Sequence, residues 1–454
     1  MVAAGLRAAS PEAVGIDSGR LEALFARVRR DVDSGALPSA QVAIARQGRL
    51  AGLRTFGAAV QGGQRRPATD QTLYTIFSCT KAIVAAAVWT LFEDGLLRLD
   101  ERVADIIPEF GTNGKEIVTV EQTLLHIGGF PMAPLGPGKW ETREGRLAAF
   151  ARWRLNWEPG TRFEYHATSA HWVLVEIIER RTGEEWRAYL RRRVLDPMGL
   201  TDLYVGLPSE VNERVADVAY VEPPAPPPGG WGETNPDTVM HFNRPEVRAV
   251  GVPGGGGICT AAELALFYQP LIHGGVTATG ARVMKPETIA FATTVRTKDI
   301  HRDLLHDILV NRALAVVVAG ADGNAHLRGF GRAASARAFG HGGAGGQIGW
   351  GDPATGISIG YCTNGFADQD TIRQRNLEIS TLAAGCARPD RFAGPPAGVC
   401  ARRSNRPRRR DGTCRNSTPR PITAPAWPCR SRASFRRTPM IGCASPPPPT
   451  SSRG

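Results

Sequence analysis

Thr75-Ile76-Phe77-Ser78-Cys79-Thr80-Lys81-Ala82-Ile83-Val84-Ala85-Ala86-Ala87-Val88-Trp89 is the stretch that decides the reading of this chain. From Ser78 to Asp94 it predicts a helix: good helix formers fill it, Ile83, Ala86, Ala87 and Leu91 recur at helical spacing, and Gly95 follows as a stop. Ser78 and Lys81 stand three apart and so share a face. A serine in the first turn gains the partial positive charge and free N–H groups of a helix N-terminus. A lysine one turn on reaches its hydroxyl and takes its proton if burial or nearby cations keep the amine neutral. The plain alternative is a capping serine and a solvated lysine. Uncharged residues on both sides set Lys81 in an apolar stretch, which favours the chemical use.

Upstream, Ser18 to Val32 reads as a helix with Leu21, Leu24, Phe25 and Val28 on one face and Asp17 or Ser18 as N-cap. Gln41 to Arg46, a Gln47-Gly48 turn and Leu50 to Val60 read as a β-hairpin. Downstream, Val118 to Leu125, Arg146 to Leu155, Ser169 to Arg181 and Trp186 to Val194 are helix candidates. Residues 207–257 turn loop-rich, with Pro223 to Pro228 and Gly254 to Gly257, and suggest a long surface excursion. Thr260 to Tyr268 reads as a capped helix. Leu314 to Val318, Gln347 to Asp352 and Ile357 to Cys362 read as strands, the last two in a hairpin. Asp370 to Ala384 reads as the last helix, and the ordered chain should end near Gly385.

Of the 454 residues, 55 are Lys or Arg and 43 are Asp or Glu, a net charge of +12. The excess lies in one place: residues 388–454 hold 15 Arg, no Lys and 2 Asp. Residues 1–387 are close to neutral, with no general electrostatic signature for nucleic acid. The tail has no period of 3.6 or 2.0 and is rich in Arg, Pro and Ser, which predicts disorder. The chain thus divides into a body of 1–387 and a tail of 388–454. No CxxC or Cys/His metal spacing occurs, so no metal or cofactor is expected. The start of the chain has too short an apolar run for a signal peptide, and no stretch approaches the apolar length of a membrane span, so a cytoplasmic protein is the default expectation.

Five pieces, in order, resemble the serine β-lactamase and penicillin-binding superfamily, in its class C-like branch with the family VIII carboxylesterases. They are Phe77-Ser78-Cys79-Thr80-Lys81; Leu124-Leu125-His126-Ile127-Gly128-Gly129; Trp157-Glu158-Pro159-Gly160 leading to Tyr165; Pro253 to Phe267; and Phe339-Gly340-His341-Gly342-Gly343-Ala344-Gly345-Gly346. The resemblance runs over roughly residues 10–386. It implies an α+β fold: an antiparallel sheet from the N-terminal hairpin and the C-terminal strands, flanked by helices, with a helical subdomain of roughly 85–205 inserted.

The resemblance also implies the roles. Ser78 becomes the nucleophile, and Lys81 with Tyr165 handles its proton. The N–H groups of Ser78 and Ala344 form the oxyanion hole. His341, Gly342 and Gly343 border the substrate. Two departures weaken a lactamase reading: the family's frequent Tyr-x-Asn is Tyr165-His166-Ala167, and its Lys-Thr-Gly-like edge is His341-Gly342-Gly343.

The expectation is therefore a serine hydrolase that cleaves short- to medium-chain carboxylic esters of small molecules. The rivals are a β-lactamase or D-alanyl-D-alanine peptidase on the same scaffold, and a catalytically idle or nucleic-acid-binding protein acting through its basic tail. His126 is expected to fix a loop beneath the site, His301 and His306 to lie at the surface, and Gly254 to Gly257 to pack on the site's floor. The natural substrate and the oligomeric state are not legible.

Overall fold

The computed structural model of the chain describes residues 4–226, 235–303 and 307–388. The expectations for the tail beyond Arg388 and for His306 fall outside them, as does part of the Pro-rich excursion.

Asp17 accepts the Arg20 N–H and opens α1 (Ser18–Asp33), which buries Leu21, Leu24, Phe25 and Val28 as the spacing requires. Strand β1 (Ser39–Arg46) turns at Gln47 and Gly48, both at positive φ, into β2 (Arg49–Gln61), and β3 (Gln64–Pro67) extends the sheet. The approach to Ser78 is itself a strand, β4 (Leu73–Phe77), buried at every position. A strand covered on both faces is a continuous apolar run, so alternation does not reveal it.

Helix α2 starts later than expected and spans Thr80–Glu93, with twelve of its fourteen residues buried. It is apolar all round because it runs through the middle of the protein. Beyond it come short helices at Val120–Leu124 and Arg143–Arg152, then α3 (Ser169–Thr182), then Trp186–Leu190 continuing through a single π turn at Arg191–Leu195.

The excursion is more structured than a surface loop. It carries β6 (Val215–Ala216) and short helices at Pro236–His241 and Pro245–Val250. With β5 (Leu203–Val205) and β7 (Gly257–Cys259), β6 joins β4 in a second sheet of order β5-β7-β4-β6. Strands of two or three residues leave no periodic signal in a sequence.

Thr260 caps α4 (Ala261–Ile272), and β8 (Val317–Val318), β9 (Phe339–Gly342), β10 (Ile348–Asp352) and β11 (Ile357–Thr363) follow. Strand β8 is shorter than expected because Ala315 stands at φ 60 and turns the chain. Helix α5 (Gln369–Ala384) ends the fold, with Ala387 bridged to Ile16.

The main sheet has the order β8-β9-β10-β11-β1-β2-β3, every pairing antiparallel. The N-terminal and C-terminal strands meet inside the sheet where β1 pairs with β11, Val42 opposite Tyr361. Helices α1 and α5 pack together, and α4 lies against β1, β10 and β11. A Cβ at Gly360 would stand 2.0 Å from the Ala261 carbonyl oxygen, so glycine is what lets α4 lie on the strand.

Glu263 in the first turn of α4 ties that helix to the region before β5. It is 2% exposed and accepts the N–H groups of Thr201 (3.2 Å) and Asp202 (2.7 Å). Burial, with the nearby Asp202 charge, pushes its carboxyl up to about 7. The folded state then binds a proton that the unfolded chain releases at about pH 4.5. Its stabilising effect is complete below that value and is lost as pH rises toward 7, on the order of 3 kcal/mol in all. The melting temperature should therefore fall more between pH 5 and 8 in the wild type than in Glu263→Gln. Equal slopes in a thermal-shift series would contradict this assignment.

Candidate active site

Ser78 stands in the turn between β4 and α2, so it precedes the first helical residue instead of occupying the first turn. Phe77 holds φ 44, a left-handed conformation that costs a non-glycine residue about 1–2 kcal/mol. Three contacts enforce it. The Phe77 ring meets Phe242 and Phe366 edge-on at 5.2 and 5.1 Å, and its carbonyl accepts the Thr80 hydroxyl at 2.5 Å. Strain of this kind, fixed by packing, aims the next side chain.

Lys81 is fully buried. Its Nζ lies 3.3 Å from Ser78 Oγ, 2.6 Å from the Ala167 carbonyl oxygen and 2.5 Å from that of Gly254. Carbonyls only accept, so they take two N–H groups of the lysine. The third tetrahedral position of the nitrogen faces Ser78 Oγ. A neutral amine directs its lone pair there, and an ammonium directs an N–H there. The same frame therefore accommodates either form of the lysine.

Gly254 earns its identity in this frame, since a Cβ there would lie 2.7 Å from the Ala167 carbonyl oxygen and 3.3 Å from Nζ. The glycine run thus packs on the floor of the site as expected, and it also supplies one of the lysine's acceptors. Sequence reading noted what the Ala167 side chain lacks and missed what its main chain does.

Tyr165 lies beside the lysine, its ring centroid 4.9 Å from Nζ. Among the described residues its buried hydroxyl has no hydrogen-bond partner. Its ring also neighbours those of His126 (5.0 Å) and His341 (5.9 Å).

The end of β9 reaches the same place. Cys79 Sγ donates to the His341 carbonyl at 3.1 Å, and a Cβ on Gly343 would stand 2.6 Å from the Ile76 carbonyl oxygen. Glycine there lets the turn after β9 lie against the end of β4. Ser78, Tyr165, Ala167 and the run His341 to Ala344 line one cavity of about 440 Å3, with Phe163, Ile308, Leu309, Val310, Val317 and Leu327 as apolar wall. The residues singled out in the sequence are thus brought together.

Arg312 also lines this cavity and was not foreseen. In a chain with so many arginines, one more outside every motif carries no signal. Its Nη1 lies 3.2 Å from His341 Nε2, while His341 Nδ1 lies 2.8 Å from the Gly342 carbonyl oxygen. A guanidinium only donates and a carbonyl only accepts, so the imidazole is neutral with its proton on Nδ1. Burial, reinforced by the charges of Arg312 and Lys81, holds His341 well below the ordinary histidine range, in agreement with that assignment.

His126 and His301 hold loops in place. His126 is fully buried and accepts the His166 N–H through Nδ1, fixing the loop as expected. His301 corrects an expectation: it is buried, not superficial. Its Nδ1 accepts the Lys298 N–H, so Nε2 carries the proton and donates to the Gly160 carbonyl at 3.2 Å. It pins the Trp157–Gly160 loop from a distant segment. Among the described residues no three His, Cys, Asp or Glu side chains come together as metal ligands, and no helix is long and apolar enough to cross a membrane.

A serine bonded to a buried lysine one turn away, at the meeting of an antiparallel sheet and an inserted helical region, defines a serine hydrolase. The chain belongs to the beta-lactamase family, which matches residues 24–383 under the description Beta-lactamase. It is 27% identical to the Esterase/beta-lactamase LipL of Mycobacterium tuberculosis over 319 residues, 64% of this chain and 68% of that protein. Among solved structures it is similar to a novel penicillin-binding protein homologue from Caulobacter crescentus, at 29% identity and TM-score 0.68, covering 82% of this chain and 99% of that one. It is also similar to a family VIII carboxylesterase, at 25% identity and TM-score 0.67, with the same coverage.

Proposed function

We propose that the protein hydrolyses small carboxylic esters of short- to medium-chain acids through an acyl-enzyme on Ser78. The observation that carries the proposal is the Lys81 frame, two carbonyls holding the amine with its third position on Ser78 Oγ. Ser78 Oγ attacks the ester carbonyl as its proton passes to Lys81, with Tyr165 beside the pair to share it. The N–H groups of Ser78 and Ala344 stabilise the oxyanion. The carbon–oxygen bond then breaks, and the alcohol leaves with the proton. Water adds to the acyl-Ser78 carbonyl, giving up a proton to the same groups, and the carboxylic acid departs as Ser78 is restored.

Esters are favoured over β-lactams and peptides by the strand edge. A neutral His341, already bound to Arg312 and to the Gly342 carbonyl, stands where many β-lactamases place a lysine, and Ala167 replaces an amide side chain. The apolar wall and modest volume of the cavity suit a short acyl chain. A β-lactamase or D-alanyl-D-alanine peptidase activity is the second reading, supported by the likeness to a penicillin-binding protein homologue.

Turnover of p-nitrophenyl acetate and butyrate should exceed that of nitrocefin by a wide margin, and kcat/KM should decline toward C12 acyl groups. Faster nitrocefin turnover would favour the second reading, and a steady rise to C12 would refute the chain-length assignment.

A further inference from the structure

We propose, building on the ester-hydrolase reading, that Arg312 is a positioning residue of the reaction, which locks His341 in one neutral tautomer and through it holds the strand end that carries the Ala344 N–H.

The guanidinium donates from Nη1 to His341 Nε2 at 3.2 Å. With that nitrogen occupied as an acceptor, the imidazole proton sits on Nδ1 and is donated to the Gly342 carbonyl at 2.8 Å. The other side of the same peptide unit is also held, because the Gly343 N–H donates to the Gln347 carbonyl at 2.8 Å. The peptide plane between Gly342 and Gly343 is therefore clamped at both its oxygen and its nitrogen. One residue further on stands Ala344. Gly342 and Gly343 have no side chains to restrict their backbone, so this clamp does what a Cβ does elsewhere. Were the imidazole to flip or to move its proton to Nε2, the Gly342 carbonyl would lose its donor.

The Arg312 side chain gives its hydrogen bond to His341. It is 8% exposed, and none of the ion pairs among the described residues includes it. Its guanidinium carbon lies 5.3 Å from the Tyr165 ring centroid and 5.6 Å from that of Phe163, contacts that keep the fork in the cavity wall. Its main chain is anchored separately. The Arg312 N–H donates to Thr297 Oγ1 at 3.0 Å, its carbonyl accepts the Arg296 N–H at 2.9 Å, and it bridges to Val317. Replacing the side chain therefore leaves the backbone bonds in place.

The charged and titratable groups around His341 come from several elements. Arg312 and, through it, Asp303 face it from the segment before β8, Lys81 and Cys79 from the start of α2, Tyr165 from its loop, His171 from α3 and Tyr268 from α4. The two cations, with burial, oppose a proton on His341. Removing Arg312 removes one of them together with the donor that occupies His341 Nε2. His341 then takes up a proton at higher pH than in the wild type, and the imidazolium gains a second N–H that has no carbonyl to meet.

The experiment uses the full chain in two measurements. Nitrogen-15 NMR of histidine-labelled wild type, with His341→Phe for assignment, reports which ring nitrogen carries the proton without any substrate. The expected result is Nδ1–H at neutral pH, and Nε2–H overturns the proposal. Steady-state hydrolysis of p-nitrophenyl butyrate across pH then compares wild type, Arg312→Met and Arg312→Lys. Arg312→Met should lose about 10- to 100-fold in kcat with a much smaller change in KM, and the acid limb of its pH profile should move to higher pH. Arg312→Lys, which keeps the charge and one donor, should restore the limb and part of kcat. In a His341→Phe background the Arg312→Met change should add little. A wild-type kcat and pH profile in Arg312→Met, or a fully additive loss, overturns the proposal. If the wild type hydrolyses no ester, the hydrolase reading fails, while the same spectrum taken on Arg312→Met still decides whether Arg312 locks His341: an unchanged Nδ1–H signal overturns the lock.

Discussion

Ser78→Ala should lower kcat/KM for p-nitrophenyl butyrate by about 10³-fold or more while leaving the far-ultraviolet circular dichroism and melting temperature close to wild type. The substitution removes one oxygen at the mouth of a cavity. It leaves in place the Phe77 conformation, the Thr80 hydroxyl bond to the Phe77 carbonyl and the two carbonyls on Lys81. What it removes is not replaced: the hydroxyl bonded to Lys81 Nζ among the residues that line the cavity is that of Ser78. The companion observation is covalent. A slow ester or a fluorophosphonate should add its acyl or phosphonyl mass to the wild type and not to the variant. A variant with wild-type turnover, or a label that maps elsewhere, removes Ser78 from the mechanism.

Lys81→Met should be as severe for activity, again on the order of 10³-fold, and should also cost stability. The serine loses its proton acceptor. The carbonyls of Ala167 and Gly254 lose their donor, at about 1–3 kcal/mol for a buried acceptor left unpaired. Methionine keeps most of the length and the apolar stem, so the fold should survive with a lowered melting temperature. Combining Lys81→Met with Ser78→Ala should cost little further activity, because the two groups act as a unit, while the fall in melting temperature should persist. Additive activity losses would assign Lys81 a structural role only. An unchanged melting temperature would refute the assignment of the two carbonyls.

Local pattern carried the reading where the physics is local. The face of α1 follows from residues three and four apart, and the β1–β2 hairpin from a Gln-Gly turn between apolar strands. It misled where burial is two-sided or elements are short. Strand β4 has no alternation to detect, and the second sheet is assembled from strands of two, three and five residues. His301 looked superficial because nothing beside it in the chain shows that Gly160 lies against it.

The division at the site follows the same line. The sequence by itself determined the pairing of Ser78 with Lys81, because they are three residues apart and one turn of backbone brings them together. It also determined that Tyr165 and the His341–Ala344 edge belong with them, through motifs that keep their order along the chain. Only the tertiary structure decided what surrounds the pair. The acceptors of Lys81 are main-chain oxygens 86 and 173 residues away, and the partner of His341 is an arginine 29 residues before it. Every residue carries a carbonyl and this chain carries many arginines, so residue type distinguishes none of them. Which one meets the site is set by where the packed sheet and helices bring the chain back.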